Sequence, residues 1–317
     1  MVLSKYSWCL MLAASSQMAQ ACGAPPQAVI DIDANSYYSD SHYSIIDPAR
    51  KARNEAATKP VSDFLEVVAR SASAYQAKLN QSDAECSLSW LASWAGQNAM
   101  LGRMTTMQSY YTRKWALASL ALSYARVQHA AASDQRQVIE AWLKSLADAT
   151  IKHSDQQKGA RNNHYYWEGL AVAATGAATG DQHYLRWARN MFDYAMNQVQ
   201  ADGTLPLELN RAGKALQYHV FSAEALVFVA SILDVQSEPL DRLVKTTLDG
   251  VSNPASFEQM TGFEQEVPKS TPGWKLIYDR HTALSPNGTP AKAWTARLGG
   301  DLTLPNPLEH LRLKPAA

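Results

Sequence analysis

Between residues 161 and 167 the chain reads RNNHYYW: two amides, an imidazole and three aromatic rings, followed directly by the small, apolar EGLAVAATGAATG. Amides and imidazoles hydrogen-bond anions, and imidazoles and phenols move protons. Taken singly, each residue also has an ordinary duty. Asn162 and Asn163 are good helix N-caps, Tyr165, Tyr166 and Trp167 fit a core, and His164 fits a hydrogen-bonded structural position. A second cluster, LNRAGKALQYH at 209–219, holds Arg211 and Tyr218, seven positions apart and so close to two helical turns. Gly213 puts the start of regular helix after itself, leaving Arg211 in the entering loop. A third cluster is YYTRKW at 110–115, with Tyr111 in it, and Lys158 and Lys214 flank the others either as added cations or as plain solvated lysines.

Whether these clusters meet depends on the elements that carry them. From about 58 onward the sequence reads as helix upon helix, broken at SDAEC, SDQR, TGDQ and ADGTLP. Some helices have a single apolar stripe, such as Val138, Ile139, Trp142, Leu143 and Leu146, and bury one face. Others, KWALASLALSYARV, EGLAVAATGAATG and VFSAEALVFVASIL, are apolar or small nearly all round and must be enclosed. The two kinds alternate: inner near 110–128, 163–179 and 214–234, outer near 134–152, 181–200 and 239–251. Inner and outer helices joined by short loops predict an all-α fold, an α/α toroid of helical hairpins. Its inner helices run in one direction, so the three clusters gather at one rim. There the amides, imidazole, guanidinium and phenol, with the positive ends of helix dipoles, make a carboxylate-binding site.

The segment from about 23 to 57, rich in tyrosine (DANSYYSDSHYSIIDPARKARN), has no sustained period and reads as a long loop of the lid or binding kind. Residues 1–21, with Lys5, a short apolar run and AQA at their end, read as a secretory signal peptide. Residues 22–317 then form one domain, expected in the periplasm or secreted, with no membrane span. With Cys9 removed, Cys22 and Cys86 remain, and an oxidising compartment favours their pairing; a lipidated Cys22 beside a free, buried Cys86 is the alternative.

Lysines plus arginines number 29, as do aspartates plus glutamates, so no overall field favours nucleic acid or an anionic membrane. HExxH, CxxC, G-x-S-x-G and phosphate-cradling glycine loops are missing from the sequence, so neither metal nor cofactor is expected. Glu168 and Glu208 are the carboxylates a glycoside hydrolase would need at such a rim. The first lies among apolar helix residues and the second in the turn LPLELN, which disfavours that chemistry.

RNNHYYW together with DGTLPLELNRAGKALQYHVFSAEALVFVA at 202–230 resembles the polysaccharide lyase family 5 alginate lyases. The resemblance extends to CSLSWLASWAGQNAML at 86–101, RKWALASLALSYARV at 113–127 and RLGGDLTL at 297–304, most of the chain beyond residue 21. It implies an incomplete α/α toroid, an acidic polysaccharide substrate, a chain acting as a monomer, and Asn163, His164, Arg211 and Tyr218 as the catalytic set. The implied reaction is β-elimination on a 1,4-linked uronate polymer, with poly-β-D-mannuronate the expected substrate. Asn163, Arg211 and His164 would hold the carboxylate, and Tyr218 would serve as base and acid. A phenol with an ordinary pKa of about 10 would need neighbouring cations to lower it. The lid of the family corresponds to the segment around His42 and Tyr43. Alginate-specific members carry a basic residue before that tyrosine, and His42 in that place leaves poly-glucuronate or hyaluronate-like chains as alternatives. Tyr111 and Trp167 are candidate sugar-stacking groups or structural rings. A non-catalytic polysaccharide-binding protein of the same fold is the reading from another class, and Tyr218 beside Arg211 argues against it, because binding needs no base.

Overall fold

The computed structural model describes residues 22–267, 272–284, 293–305 and 307–308. The expected signal segment, 1–21, lies outside the described residues.

Eleven helices are assigned among the described residues: α1 Pro48–Lys78, α2 Gln81–Gly96, α3 Met107–Val127, α4 Ser133–Gln156, α5 Asn163–Thr179, α6 Gln182–Met196, α7 Pro206–Leu209, α8 Ala215–Leu233, α9 Glu238–Ser252, α10 Ala255–Thr261 and α11 Lys275–His281. Two short strands, β1 Trp294–Thr295 and β2 Gly300–Asp301, pair antiparallel near the C-terminus.

The alternation of the sequence is the architecture. Helices α3, α5 and α8 are buried on nearly every side, and α5 packs against both of the others. Helices α4, α6 and α9 bury one stripe each, such as Ile139, Trp142, Leu143 and Leu146 of α4. The hairpins α1/α2, α3/α4, α5/α6 and α8/α9 form an α/α toroid, and the tail packs on it, α11 against α8 and Ala296–Asp301 against α1 and α3. Ala212–Leu233 is long and apolar enough to cross a membrane, and 72% of its apolar window is buried inside the toroid, which accounts for the composition.

Local chemistry sets the boundaries. Asn162 caps α5 by accepting from the His164 N–H, and Gly180 ends that helix with φ +70°. Within α5, a Cβ on Gly176 would meet Tyr184 and Leu185 of α6 at 2.9–3.0 Å, so the small residues of ATGAATG permit close helix contact. Asp47 caps α1 and Pro48 opens it. The loop expected to run to 57 therefore ends at 47. Its successor was hidden because residues 48–53 of α1, small or basic after the opening proline, are all exposed, leaving no apolar period to read. Likewise SDAEC, expected as a break, lies inside α2; the break is at Leu79 and Asn80, where Leu79 is left-handed and Asn80 caps.

Cys22 and Cys86 are joined by a disulfide. Beside it, Trp90 and Trp94 donate their indole N–H groups to the carbonyls of Gly23 and Pro26, both at 3.0 Å. The start of the lid segment is thus pinned to α2.

Candidate active site

The N-termini of α3, α5 and α8 open on one cleft enclosing about 460 Å³. Gln108, Tyr111 and Trp115 come from α3, Asn162 and His164 from the start of α5, Arg211, Gln217, Tyr218 and Phe221 from the approach to α8 and its first turns, and Arg297 from the tail. The lid supplies Tyr37, Tyr38 and Tyr43. A second cavity of about 310 Å³ shares Tyr37, Gln108, Trp115 and Arg297 with the first and continues along α1 past Asn54, Thr58 and Ser62. The two together make an elongated groove.

His164, Arg211 and Tyr218 line the same cleft. The His164 ring stacks on Tyr111 with centroids 3.5 Å apart, and its Nδ1 is buried with no hydrogen-bond partner among the described residues. Burial first, then the charges of Lys114 and Arg211, hold its pKa well below the ordinary 6.5, so the imidazole is neutral at pH 7. The Arg211 guanidinium lies 4.8 Å from the Tyr218 ring centre and 5.2 Å from that of Tyr43. The Tyr218 hydroxyl donates to the Tyr43 carbonyl at 3.4 Å, closing the lid onto the cleft wall. Tyr43 adopts φ +55° there, a strained conformation for a tyrosine, of the kind that gathers at functional sites.

The Tyr218 phenol departs from the expected electrostatics. Burial raises its pKa, and the opposing effects of the Tyr38 hydrogen bond and Arg211 do not reverse this. Cations beside a phenol were expected to lower it, but desolvation of a phenolate in a half-enclosed cleft is the larger effect. Tyr218 is therefore a protonated acid in this structure.

Asn163 also differs in place. It is fully buried and does not line the cleft; its neighbour Asn162 does. Asn163 Nδ2 donates to both carboxylate oxygens of Glu208, at 3.1 and 3.0 Å, and the Asn163 backbone N–H donates to the same group at 2.8 Å. Both side-chain contacts run from one nitrogen to the two oxygens of a single carboxylate, so one amide N–H is shared between them. The Asn163 Oδ1 is buried with no partner among the described residues. The positive end of α5 is likewise already occupied, by the protein's own Glu208, rather than open to an incoming anion. Glu208 is fully buried, and burial raises its pKa despite Arg211, whose Nε stands 3.5 Å away.

Four further candidates fall outside the cleft. Lys158 is exposed, as a solvated lysine. Lys214 is buried and turned to Glu266 at 2.6 Å and Gln217 at 3.1 Å, since its short 3-10 turn faces the 261–267 segment. Trp167 has no exposure, donates to the Phe221 carbonyl at 3.0 Å and stacks on Phe221, so it is a core ring behind the wall. His42 is exposed and bonds through Nδ1 to the Asn210 carbonyl at 2.9 Å, tying the lid to the loop that bears Arg211. Tyr43 and Tyr111 line the cleft.

A family model described as alginate lyase matches residues 31–257. The chain is 39% identical over 311 residues to a polysaccharide lyase of Stenotrophomonas maltophilia, covering 92% of this chain and 93% of the relative. The chain belongs to the alginate lyase family. It is also 34% identical to an alginate lyase of Azotobacter vinelandii, over 83% of this chain and 79% of that one. Among solved structures, alginate lyase A1-III complexed with a tetrasaccharide superposes with a TM-score of 0.77 at 22% identity, covering 93% of this chain and 86% of the other. The structure of the same lyase from Sphingomonas species A1 gives 0.74 at 22% identity over 90% and 85%. This likeness carries the fold.

Within this alginate lyase fold, the sequence marks neither of two residues of consequence for the part it plays. Glu208 looked like a turn residue, and its pairing with Asn163 spans 45 positions, beyond any local period. Arg297 was visible only as the first residue of RLGGDLTL. Its guanidinium sits 4.9 Å from the Trp115 ring centre and 5.4 Å from that of Phe221, placing a cation between aromatic walls where the two cavities join. A planar cation there can fork to a sugar carboxylate, and the rings can stack on pyranose faces.

Proposed function

We propose that this protein is an exported lyase that cleaves 1,4-linked polyuronates by β-elimination, with poly-β-D-mannuronate as its principal substrate. The reading rests on one juxtaposition above all: the Arg211 guanidinium 4.8 Å from the ring of Tyr218, with His164 lining the same cleft. Arg211 and His164 hold the substrate carboxylate and so make the adjacent C5 proton acidic. Asn163 contributes from behind, through Glu208 and Arg211. Tyr218 takes the C5 proton and returns a proton to O4. The C5–H and C4–O4 bonds break, the C–H electron pair becomes the C4=C5 double bond, and the departing oxygen leaves with its own pair. For Tyr218 to start as base, Arg211 and Tyr38 must offset its burial, and a polymer that displaces the Tyr43 carbonyl presents the phenol to them.

A second division of labour has its own support. A neutral His164 and a protonated Tyr218 are a ready base and a ready acid. Acting from opposite faces of the sugar, they suit guluronate.

Incubation with polymannuronate, polyguluronate and polyglucuronate, followed by ultraviolet absorbance of the unsaturated product, separates the cases. Fastest turnover of polymannuronate supports the Tyr218 route, and fastest turnover of polyguluronate the His164 route. A preference for polyglucuronate removes alginate as the principal substrate, and silence on all three removes the lyase reading. The Cys22–Cys86 disulfide supports a periplasmic or secreted location.

A further inference from the structure

One lysine in the toroid is buried directly behind the cleft. Lys114 of α3 is 1% exposed. Its Nζ donates to the His164 carbonyl at 2.8 Å, stands 3.4 Å from Glu168 Oε1, and lies 4.5 Å from the centre of the Tyr111 ring. Tyr111 in turn stacks on the His164 imidazole at 3.5 Å. Two residues one turn apart on α3 therefore hold one residue of α5, Lys114 by its backbone and Tyr111 by its ring.

Packing alone does not call for this arrangement. Lysine and glutamate are rarely fully buried, and an apolar pair of equal volume generally serves a helix contact at least as well. The ammonium is also aimed at a ring that forms part of the cleft wall.

We propose that Lys114 is a positioning residue for the lyase reaction: it fixes the Tyr111–His164 stack from behind and lends that wall of the cleft a positive charge. This rests on the reading of His164 as a residue that meets substrate. The charged groups that act on His164 are Lys114 of α3 and Arg211 before α8; Glu168, one turn on in α5, pairs with Lys114, the Tyr111 phenol stacks on the ring, and Tyr218 lines the same cleft. Lys114 and Arg211 both disfavour a second proton on the imidazole. Lys114 acts on His164 more strongly than Glu168 does, so removing both charges raises the pH at which His164 protonates, and removing Glu168 while keeping Lys114 lowers it.

The test uses two variants of the full chain. Lys114→Met alone would strand Glu168 unpaired in the core, so the first is the double variant Lys114→Met/Glu168→Gln, and the second is Glu168→Gln alone. In each, the His164 imidazole is titrated by NMR and kcat and KM on a polyuronate are measured across pH, with circular dichroism to establish folding. The expected result is opposite displacement. The double variant titrates at higher pH, with its acid limb moved the same way and kcat reduced at least tenfold with a smaller change in KM; Glu168→Gln moves to lower pH. A merely structural lysine would give neither the opposite signs nor the split. Folded variants of an active wild type whose His164 titration and kcat both stay put overturn the inference and leave the lyase reading standing. Moved titration with unchanged kcat overturns the positioning role. A wild type inert on every polyuronate sinks the lyase reading itself, and this inference with it.

Discussion

The Asn163 amide nitrogen donates to both oxygens of the Glu208 carboxylate, at 3.1 and 3.0 Å, while the same carboxylate stands 3.5 Å from Arg211 Nε. One buried anion thereby couples the start of α5 to the loop that presents the guanidinium.

Replacing that anion tests the coupling. Glu208→Gln turns an amide donor toward Asn163 Nδ2, removes one of its acceptors and releases Arg211. The expected result is a loss of about 1–3 kcal/mol in unfolding free energy, read by urea titration, and a fall in kcat of about 10–100-fold with KM changed less. A variant with wild-type kcat would show that Arg211 needs no such tether.

In the proposed reaction Tyr218 carries the proton transfers, so its hydroxyl is the group to remove. Tyr218→Phe keeps the ring beneath Arg211 and removes the acid. Turnover should fall by about 10²–10⁴-fold, while binding of an oligouronate, measured by calorimetry, persists. Retained turnover would assign the proton transfers elsewhere.

A second buried histidine makes stability depend on pH. His219 of α8 accepts the Leu205 N–H at Nε2, 2.9 Å, and bonds the Ala215 carbonyl through Nδ1, 2.8 Å; burial lowers its pKa to about 4. The folded state resists protonation that the unfolded chain accepts near 6.5. Stability is therefore whole above about 6.5 and is lost as pH falls toward about 4, by about 3 kcal/mol at about 1.4 kcal/mol per pH unit. Denaturant titrations from pH 7 to 4 should show this decline, and His219→Asn should flatten it. An unchanged slope in that variant would place the linkage in other groups.

The disulfide closes 64 residues of chain. On loop entropy its reduction costs about 4 kcal/mol, so melting with and without reductant should differ by roughly 5–10 °C. Equal melting temperatures would mean that Trp90 and Trp94 hold the N-terminal segment unaided.

The fold was legible because a toroid writes itself into composition: helices enclosed on all sides lose their polar face, and α3, α5 and α8 show it. His164, Arg211 and Tyr218 were legible because inner helices share a direction, so helix starts converge. What was hidden depends on side-chain direction and distant pairing. Asn162 and Asn163 are adjacent and chemically identical, yet one lines the cleft and the other faces Glu208, a difference set by helical rotation and not by residue type. Nothing in the sequence around Lys114 marks it out, and only its depth between α3 and α5 distinguishes it. The rise in the Tyr218 pKa was unreadable for the same reason: neighbouring cations can be guessed from spacing, whereas desolvation requires knowing that the lid lies over the phenol.

The most direct test of elimination is the mass of the fragments formed from polymannuronate in heavy-oxygen water. The predicted result is that each cut leaves one new end lighter than a hydrolysed end by one water, with no heavy oxygen taken up from the solvent. Fragments that carry solvent oxygen at the cut, or a polymer left whole, would contradict the account.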